Sequence, residues 1–215
     1  MAKEWYGHGQ WNAPYWFVGP EPGMAKTEGD DLTERCLAWQ RAGGGSLIDC
    51  ARYHKALKID SWHSANAQLQ PTWGKLIRLL LSFQGQKLSR QMIVNYQRGH
   101  WGGDGGETCV IELSPLAANN TGVDRDRKRF LTDRTAFLRS TILQCKPTFV
   151  VMYGKGCLSQ WQQIAGGEFD NQGIREIGTT IALTTKHPVA RGARNQDWEQ
   201  LGKLLRARCS EGNSR

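Results

Sequence analysis

Three short segments carry side chains whose types suit acid–base chemistry. Residues 19–23 read GPEPG and place one carboxylate, Glu21, among prolines and glycines directly after an apolar run. Glu112 is the only charge in the apolar segment CVIEL at 109–113, and His187 precedes a proline in KHP at 186–188. Glutamate and histidine are common general acids and bases in enzymes. These three residues are therefore the first candidates for a reactive site.

The elements around these groups predict an α/β fold. Strands are expected at 15–18, 109–113, 148–154 and 178–184, and helices at 30–39, 46–57, 71–85, 125–145, 157–165 and 195–208. Strands that alternate with helices form parallel sheets covered by helices on both faces. We therefore expect a single domain over residues 1–215, a three-layer α/β/α sandwich with a central four-stranded parallel sheet.

The predicted sheet also brings the candidate residues together. Ligands of such sheets bind beyond the carboxyl ends of the strands, where the connecting loops gather. Glu21, Glu112 and His187 all lie at or just after such ends, in the loops 19–23, 112–120 and 186–194. The glycine-rich segment 99–106 is expected to be a mobile surface loop.

Composition limits the partners and cofactors. The formal net charge of +8 favours a polyanionic partner without choosing one. The six cysteines are scattered and have no C-x-x-C spacing, which predicts reduced thiols and no metal or other cofactor. No apolar run approaches the roughly 20 residues of a membrane helix, and the first residues lack a signal-peptide pattern. We expect a monomer without a membrane partner, located in the cytoplasm, and associated with the nucleoid if the source is bacterial.

The three loops together resemble the uracil-DNA glycosylase superfamily. The first motif of that family, Gly-x-Asp/Asn-Pro-Gly/Tyr, is similar to GPEPG at 19–23, and the last, His-Pro before a DNA-wedging segment, is similar to HPVARG at 187–192. The segments GMAKT at 23–27 and SPLA at 114–117 are similar to the single-strand-selective branch. Four-cysteine clusters and the insert of covalently trapping relatives are not recognisable, so the resemblance implies a cluster-free enzyme that turns over.

The resemblance implies roles for Glu21 and His187. Glu21 occupies the position of the Asp or Asn that positions water, and a carboxylate there stabilises the positive charge that develops on the sugar. His187 matches the histidine that hydrogen-bonds the departing base. Gly19, Pro22 and Gly23 would hold the loop rigid against the extruded base. The alternative interpretations are a solvated loop carboxylate and a surface histidine before a proline turn.

Glu112 departs from the family, where many relatives have an Asn that reads uracil. A carboxylate accepts from N3–H but repels O4, whereas a protonated acid would supply the missing donor at the cost of a raised pKa. Alternatively, Glu112 accepts from an exocyclic amine or a purine N–H and redirects the choice of base. A purely structural alternative is a carboxylate paired with Arg or Lys at the margin of the sheet.

DNA repair of this kind also needs a stacking aromatic, a wedge and phosphate contacts. Trp39 and Tyr53 are the candidates for the aromatic, and Trp39 is preferred for base binding. Lys186, Arg191 and Arg194 are expected to bind DNA, and Val189 to Arg191 stand where relatives insert the wedge.

The sequence thus predicts a monofunctional DNA N-glycosylase. It would remove uracil, with other deaminated or damaged bases as further candidate substrates, from single- or double-stranded DNA and leave an abasic site. The alternatives are a non-catalytic DNA-binding module on the same fold, a glycosylase for another base, and an enzyme of free nucleosides or nucleotides.

Overall fold

The fold is built on one mixed β-sheet in the computed structural model, which describes residues 4–23, 28–59, 61–116 and 125–212. Within these ranges the strands are β1 (Gly7–His8), β2 (Tyr15–Gly19), β3 (Leu47–Ile48), β4 (Thr108–Glu112), β5 (Phe149–Tyr153), β6 (Ile174–Ile177) and β7 (Thr180–Thr185). They lie side by side in the order β3-β1-β4-β2-β5-β7-β6. The predicted α/β class is confirmed.

The helices of the described ranges complete the alternation. They are α1 (Glu28–Arg41), α2 (Cys50–Ala56), α3 (Pro71–Phe83), α4 (Arg90–Gly99), α5 (Arg125–Cys145), α6 (Leu158–Ala165) and α7 (Asn195–Gly212), with a 3₁₀ turn at Lys155–Cys157. None of the helices in these ranges combines the length and apolar character that a membrane span requires.

The prediction of a four-stranded parallel sheet was wrong about the size and direction of the sheet. The four expected strands are β2, β4, β5 and β7, and they do pair in parallel at its centre. However, β1 runs antiparallel to β4, and β6 runs antiparallel to β7. Two-residue strands such as β1 and β3 are too short to show a period in sequence. The β6–β7 hairpin turns at Gly178, whose φ of +61° is in the left-handed region.

Helices pack on both faces of the sheet because successive strand residues point to opposite sides. Phe17, Val110 and Val151 contact the side that carries α3, α4 and α7. Trp16, Val18 and Met152 contact the side that carries α5 and α6. Every residue of β5 is buried, as expected for a central parallel strand.

Two local predictions differ from the structure. The segment expected to be helical from 46 is β3 followed by α2, because Asp49 caps the helix by accepting from the Arg52 amide at 2.7 Å. The expected surface loop at 99–106 includes Trp101, which is 2% exposed, and the preceding helix α4 was not predicted. The Gly102 carbonyl accepts from the Cys50 amide at 2.9 Å, which ties this glycine-rich segment to α2.

The contact between α3 and α7 depends on a glycine. A Cβ atom at Gly202 would lie 2.2 Å from the Leu79 carbonyl oxygen and 2.9 Å from the Phe83 amide nitrogen. Because both are backbone atoms, the helices would have to separate. The α7 backbone can approach α3 this closely only without a side chain at this position.

We expect Gly202→Ala to lower the free energy of unfolding by about 1–3 kcal/mol, the usual cost of overpacking. Gly99→Ala is the matched control, since Gly99 also lies in a helix but a Cβ there meets nothing within 4 Å. Urea denaturation of the two variants and the unaltered protein measures the difference. Equal stability of both variants would show that the contact between α3 and α7 accommodates a Cβ atom at position 202 without loss of folding free energy.

Candidate functional site

The register of β2 against β4 brings the two candidate carboxylates together. Gly19 pairs with Glu112 at the carboxyl ends of these strands. The pairing continues beyond the sheet, where the Leu113 amide donates to the Gly19 carbonyl and the Ser114 amide to the Pro20 carbonyl, both at 2.8 Å. The loop that carries Glu21 therefore follows the β4 segment, and the negative charge of Glu21 raises the pKa of Glu112.

Glu112 is a partly buried acid with an incomplete hydrogen-bond set. Its Oε2 atom is almost inaccessible to solvent and has no hydrogen-bond partner among the described residues. Burial raises the pKa of Glu112 from 4.5 to about 8, since the charged form loses its hydration. The nearby charge of Arg35 opposes this rise more strongly than that of Arg134. This shift favours the protonated form of Glu112 at neutral pH.

Arg134 fixes the backbone at the end of β4. This guanidinium is 2% exposed, donates to the Leu113 carbonyl at 2.6 Å and to the Glu112 carbonyl at 2.8 Å, and lies 3.8 Å from the centre of the Tyr6 ring. Arg134 thus contacts Glu112 at its main-chain carbonyl. Among the described residues, no hydrogen bond joins the guanidinium to the Glu112 carboxyl group. The paired-carboxylate alternative for Glu112 has no ion pair to support it among the described residues.

Tyr153 connects Gly19, Glu112 and His187. A Cβ atom at Gly19 would lie 2.3 Å from the Tyr153 hydroxyl, so the phenol lies directly against the start of the GPEPG loop. The Tyr153 ring meets the His187 ring edge to face, with centroids 5.3 Å apart. Burial raises the pKa of Tyr153 well above 10, and ionisation of Glu112 would raise it further. The phenol is therefore neutral and bridges the two ends of the site.

His187 is held as a neutral imidazole. Its Nδ1 accepts a hydrogen bond from the Val189 amide at 3.3 Å, so the ring proton is on Nε2. Burial lowers the pKa of His187, and the positive charge of Lys75 lowers it further. Lys75 also braces the following loop by donating to the Pro188 carbonyl at 2.7 Å and to the Ala193 carbonyl at 3.0 Å.

The predicted DNA-binding residues occupy the same loop. Lys186 and Arg194 both pair with Asp197 at the start of α7, at 3.2 and 3.3 Å. Arg191 is exposed, and Val189 is 52% exposed, which is unusual for an aliphatic side chain. The loop thus presents one apolar tip next to cationic side chains.

The remaining predicted base-binding residues lie at different distances from this site. The Gly23 carbonyl accepts from Arg35 at 2.7 Å, and Pro22 is half-buried in the same loop. Trp39 packs with a separate cluster that includes Trp5 and Tyr53, and its Nε1 donates to the Gly45 carbonyl at 2.8 Å. The structure therefore does not bring Trp39 to Glu21, Glu112 or His187 by any described contact, and its role in base binding stays a prediction.

Three residues of the site were not predicted from sequence. Tyr153 ends an apolar strand before Gly154, so the rule that placed Glu112 at a strand end could also have identified it. Lys75 and Arg35 lie on helices among other charges, and only the packing of α3 and α1 brings them to the loops. The structure also groups His8, Cys50 and His54 in an arrangement with metal-ligand spacing.

The raised pKa of Glu112 predicts a specific pH dependence of stability. The folded chain binds this proton up to about pH 8, whereas an unfolded carboxyl loses it near its ordinary pKa of 4.5. The free energy of unfolding of the unaltered protein, relative to Glu112→Gln, should therefore fall as pH rises between these values and level off above them, with a slope of at most about 1.4 kcal/mol per pH unit.

Urea denaturation of both proteins across this pH range measures the difference. Glu168→Gln, which changes an exposed carboxylate, is the control and should show little of this slope. A constant difference between the unaltered protein and Glu112→Gln would contradict a protonated Glu112.

Comparison with known proteins adds no identification. No family model matches the chain, and no curated protein matches it. The functional interpretation therefore rests on the motifs and on the geometry of the site.

Proposed function

We propose that this protein is a DNA glycosylase that hydrolyses the N-glycosidic bond of uracil, and of related deaminated bases, to leave an abasic site. The observation that supports it most is the grouping of Glu21, Glu112 and His187 at the carboxyl edge of the parallel strands, with Tyr153 between them. This edge is where α/β sheets bind ligands. The three-layer α/β/α architecture and the monomeric state expected from the family resemblance belong to the same proposal.

Glu21 acts on the sugar side of the bond. Cleavage leaves positive charge on the deoxyribose, and a carboxylate nearby stabilises that charge and orients the attacking water. The backbone pairing of 113–114 with 19–20 holds the Glu21 loop at a defined distance from β4. Pre-positioning of this kind removes the need to reorganise the loop during the reaction.

Glu112 reads the base edge as a neutral acid. A protonated carboxyl has one O–H donor and one carbonyl acceptor, which match the O4 acceptor and the N3–H donor of uracil. The raised pKa of Glu112, about 8, is the condition that this pairing requires at neutral pH. The buried and unpartnered Oε2 leaves one of these positions available for a ligand.

His187 acts on the leaving base. Bond cleavage transfers the electron pair of the glycosidic bond to the base, and the negative charge gathers on its carbonyl oxygens. The Nε2–H of neutral His187 donates to such an oxygen, and its orientation is fixed by the Val189 amide on Nδ1. The braced loop beyond it carries Val189 as a candidate wedge and Arg191 as a candidate phosphate contact.

Excision assays test the proposal directly. Oligonucleotides containing one uracil, hypoxanthine or xanthine, single- or double-stranded, are incubated with the protein, and abasic sites are cleaved with alkali. We expect strand cleavage at uracil, reduced by about 10²–10³-fold in Glu21→Gln and in His187→Ala, the usual cost of removing one electrostatic contact to a transition state. Glu168→Gln and His100→Ala, which change exposed side chains, are the matched controls.

The outcomes separate the alternatives. No cleavage of any substrate, together with salt-sensitive DNA binding that survives both substitutions, would identify a non-catalytic DNA-binding module. Cleavage that is confined to a base other than uracil would refute the proposed uracil specificity but support glycosidic bond hydrolysis. Activity on free nucleosides without salt-dependent DNA affinity would identify an enzyme of free nucleosides or nucleotides.

The protonation of Glu112 predicts a pH limit for uracil excision. kcat/KM of the unaltered protein should fall about tenfold per pH unit above the Glu112 pKa of about 8, because the carboxylate repels O4. Glu112→Gln, whose amide supplies a donor and an acceptor at every pH, should not show this fall. Single-turnover assays from pH 6 to 10 measure both profiles, and identical profiles would remove Glu112 from base recognition.

A further inference from the structure

A second group of reactive side chains lies beside the site on the same face of the sheet. His8 on β1 pairs with Val110 on β4, two residues before Glu112. A Cβ atom at Gly102 would meet the Cβ atoms of His8 and Cys50 at 2.8 and 3.2 Å and Val110 Cγ2 at 3.6 Å, so these side chains converge. The group therefore lies close to the end of β4 that carries the proposed base reader.

The geometry of this group matches a metal centre. His8, Cys50 and His54 are all buried, and one ligand atom of each lies within 4.8 Å of the others. Cys50 and His54 occupy positions i and i+4 of α2, one turn apart on one face, so their side chains are neighbours. Around tetrahedral zinc, bond lengths of about 2.0–2.3 Å place ligand atoms about 3.3–3.8 Å apart, so movements of about 1 Å separate this group from a bound arrangement.

The hydrogen bonds leave ligand atoms without partners. His54 Nδ1 donates to the Cys50 carbonyl at 2.7 Å, which leaves the lone pair on Nε2 and is a common orientation of metal-bound histidine. His8 Nδ1 is buried and has no partner among the described residues. Buried polar atoms are normally hydrogen-bonded, so this deficit needs an explanation.

His63 has the same deficit. Both of its ring nitrogens are buried without a partner in the described part of the chain. Its ring stacks on His54 with centroids 5.3 Å apart. His63 lies outside the group whose ligand atoms are within 4.8 Å of one another, and its ring would have to move closer to complete a set of four ligands.

We propose that His8, Cys50 and His54 bind one Zn²⁺ ion, with His63 as the fourth ligand. Imidazole and thiolate are the ligands of zinc rather than of magnesium or calcium. On binding, the Cys50 thiol transfers its proton to solvent and the sulfur forms the bond to the metal, without any change of oxidation state. The ion links the short strand β1 to α2 and to the segment before α3, beside the strand that carries Glu112.

Metal content tests the proposal without any activity assay. Untagged full-length protein, reconstituted with zinc and dialysed, is expected to hold about one zinc ion per chain by mass spectrometry. Zinc should raise the Tm of chelator-treated protein, and Co²⁺ in its place should give the thiolate-to-cobalt charge-transfer band. Less than about a tenth of an equivalent, with no shift in Tm, would overturn the proposal and identify a purely aromatic cluster.

Variants assign the ligands. Cys50→Ala should lose the metal and the charge-transfer band, whereas Cys109→Ala, which changes a cysteine that is also fully buried, should keep both. Should Cys50→Ala fail to fold, the cobalt spectrum of the unaltered protein still decides whether a thiolate binds. His63→Gln should keep the band and weaken zinc affinity at least tenfold, and an unchanged affinity would exclude His63 as the fourth ligand.

Zinc binding and glycosylase activity are separable results. A protein that binds zinc but cleaves no oligonucleotide would refute the proposed function and keep the metal site. A protein that excises uracil but binds no metal would support the proposed function and refute the metal site.

Discussion

The in-register pairing of β2 with β4 is the constraint on which the site depends. Parallel strands without a register shift end at the same level, so the residues after them become neighbours. Here the pairing extends two hydrogen bonds beyond the strands, through the carbonyls of Gly19 and Pro20. A shift by one residue would turn Glu112 to the opposite face of the sheet and separate it from Tyr153.

This pairing has an electrostatic consequence. It holds Glu112 partly buried and near the charge of Glu21, and both effects oppose a second negative charge. One acid is therefore kept neutral while another lies near the edge of the site. Enzymes commonly divide acid and acceptor roles between two carboxyl groups in this way, through their environments rather than their residue types.

Strand β4 also links the site to the histidine–cysteine group. Its residues Val110 and Glu112 face the same side, and His8 is opposite Val110 on β1. The short β1 strand pairs through only two residues, so its position depends on what its side chains contact. A metal ion shared between His8 and α2 would add a cross-link between β1 and this helix, close to the residue proposed to read the base.

Sequence alone determined the central parallel strands, most of the helices, and the three candidate residues of the reactive site. These features are local, since an apolar run, a proline at the start of α3 and a charged residue at a strand end are visible within a few positions. Tertiary structure decided the rest. The short strands β1 and β3, the raised pKa of Glu112, the contact of Tyr153 with Gly19 and the grouping of His8 with Cys50 and His54 all depend on residues far apart in the chain. Burial and proximity arise only when the sheet forms, and neither leaves a periodic pattern in the sequence.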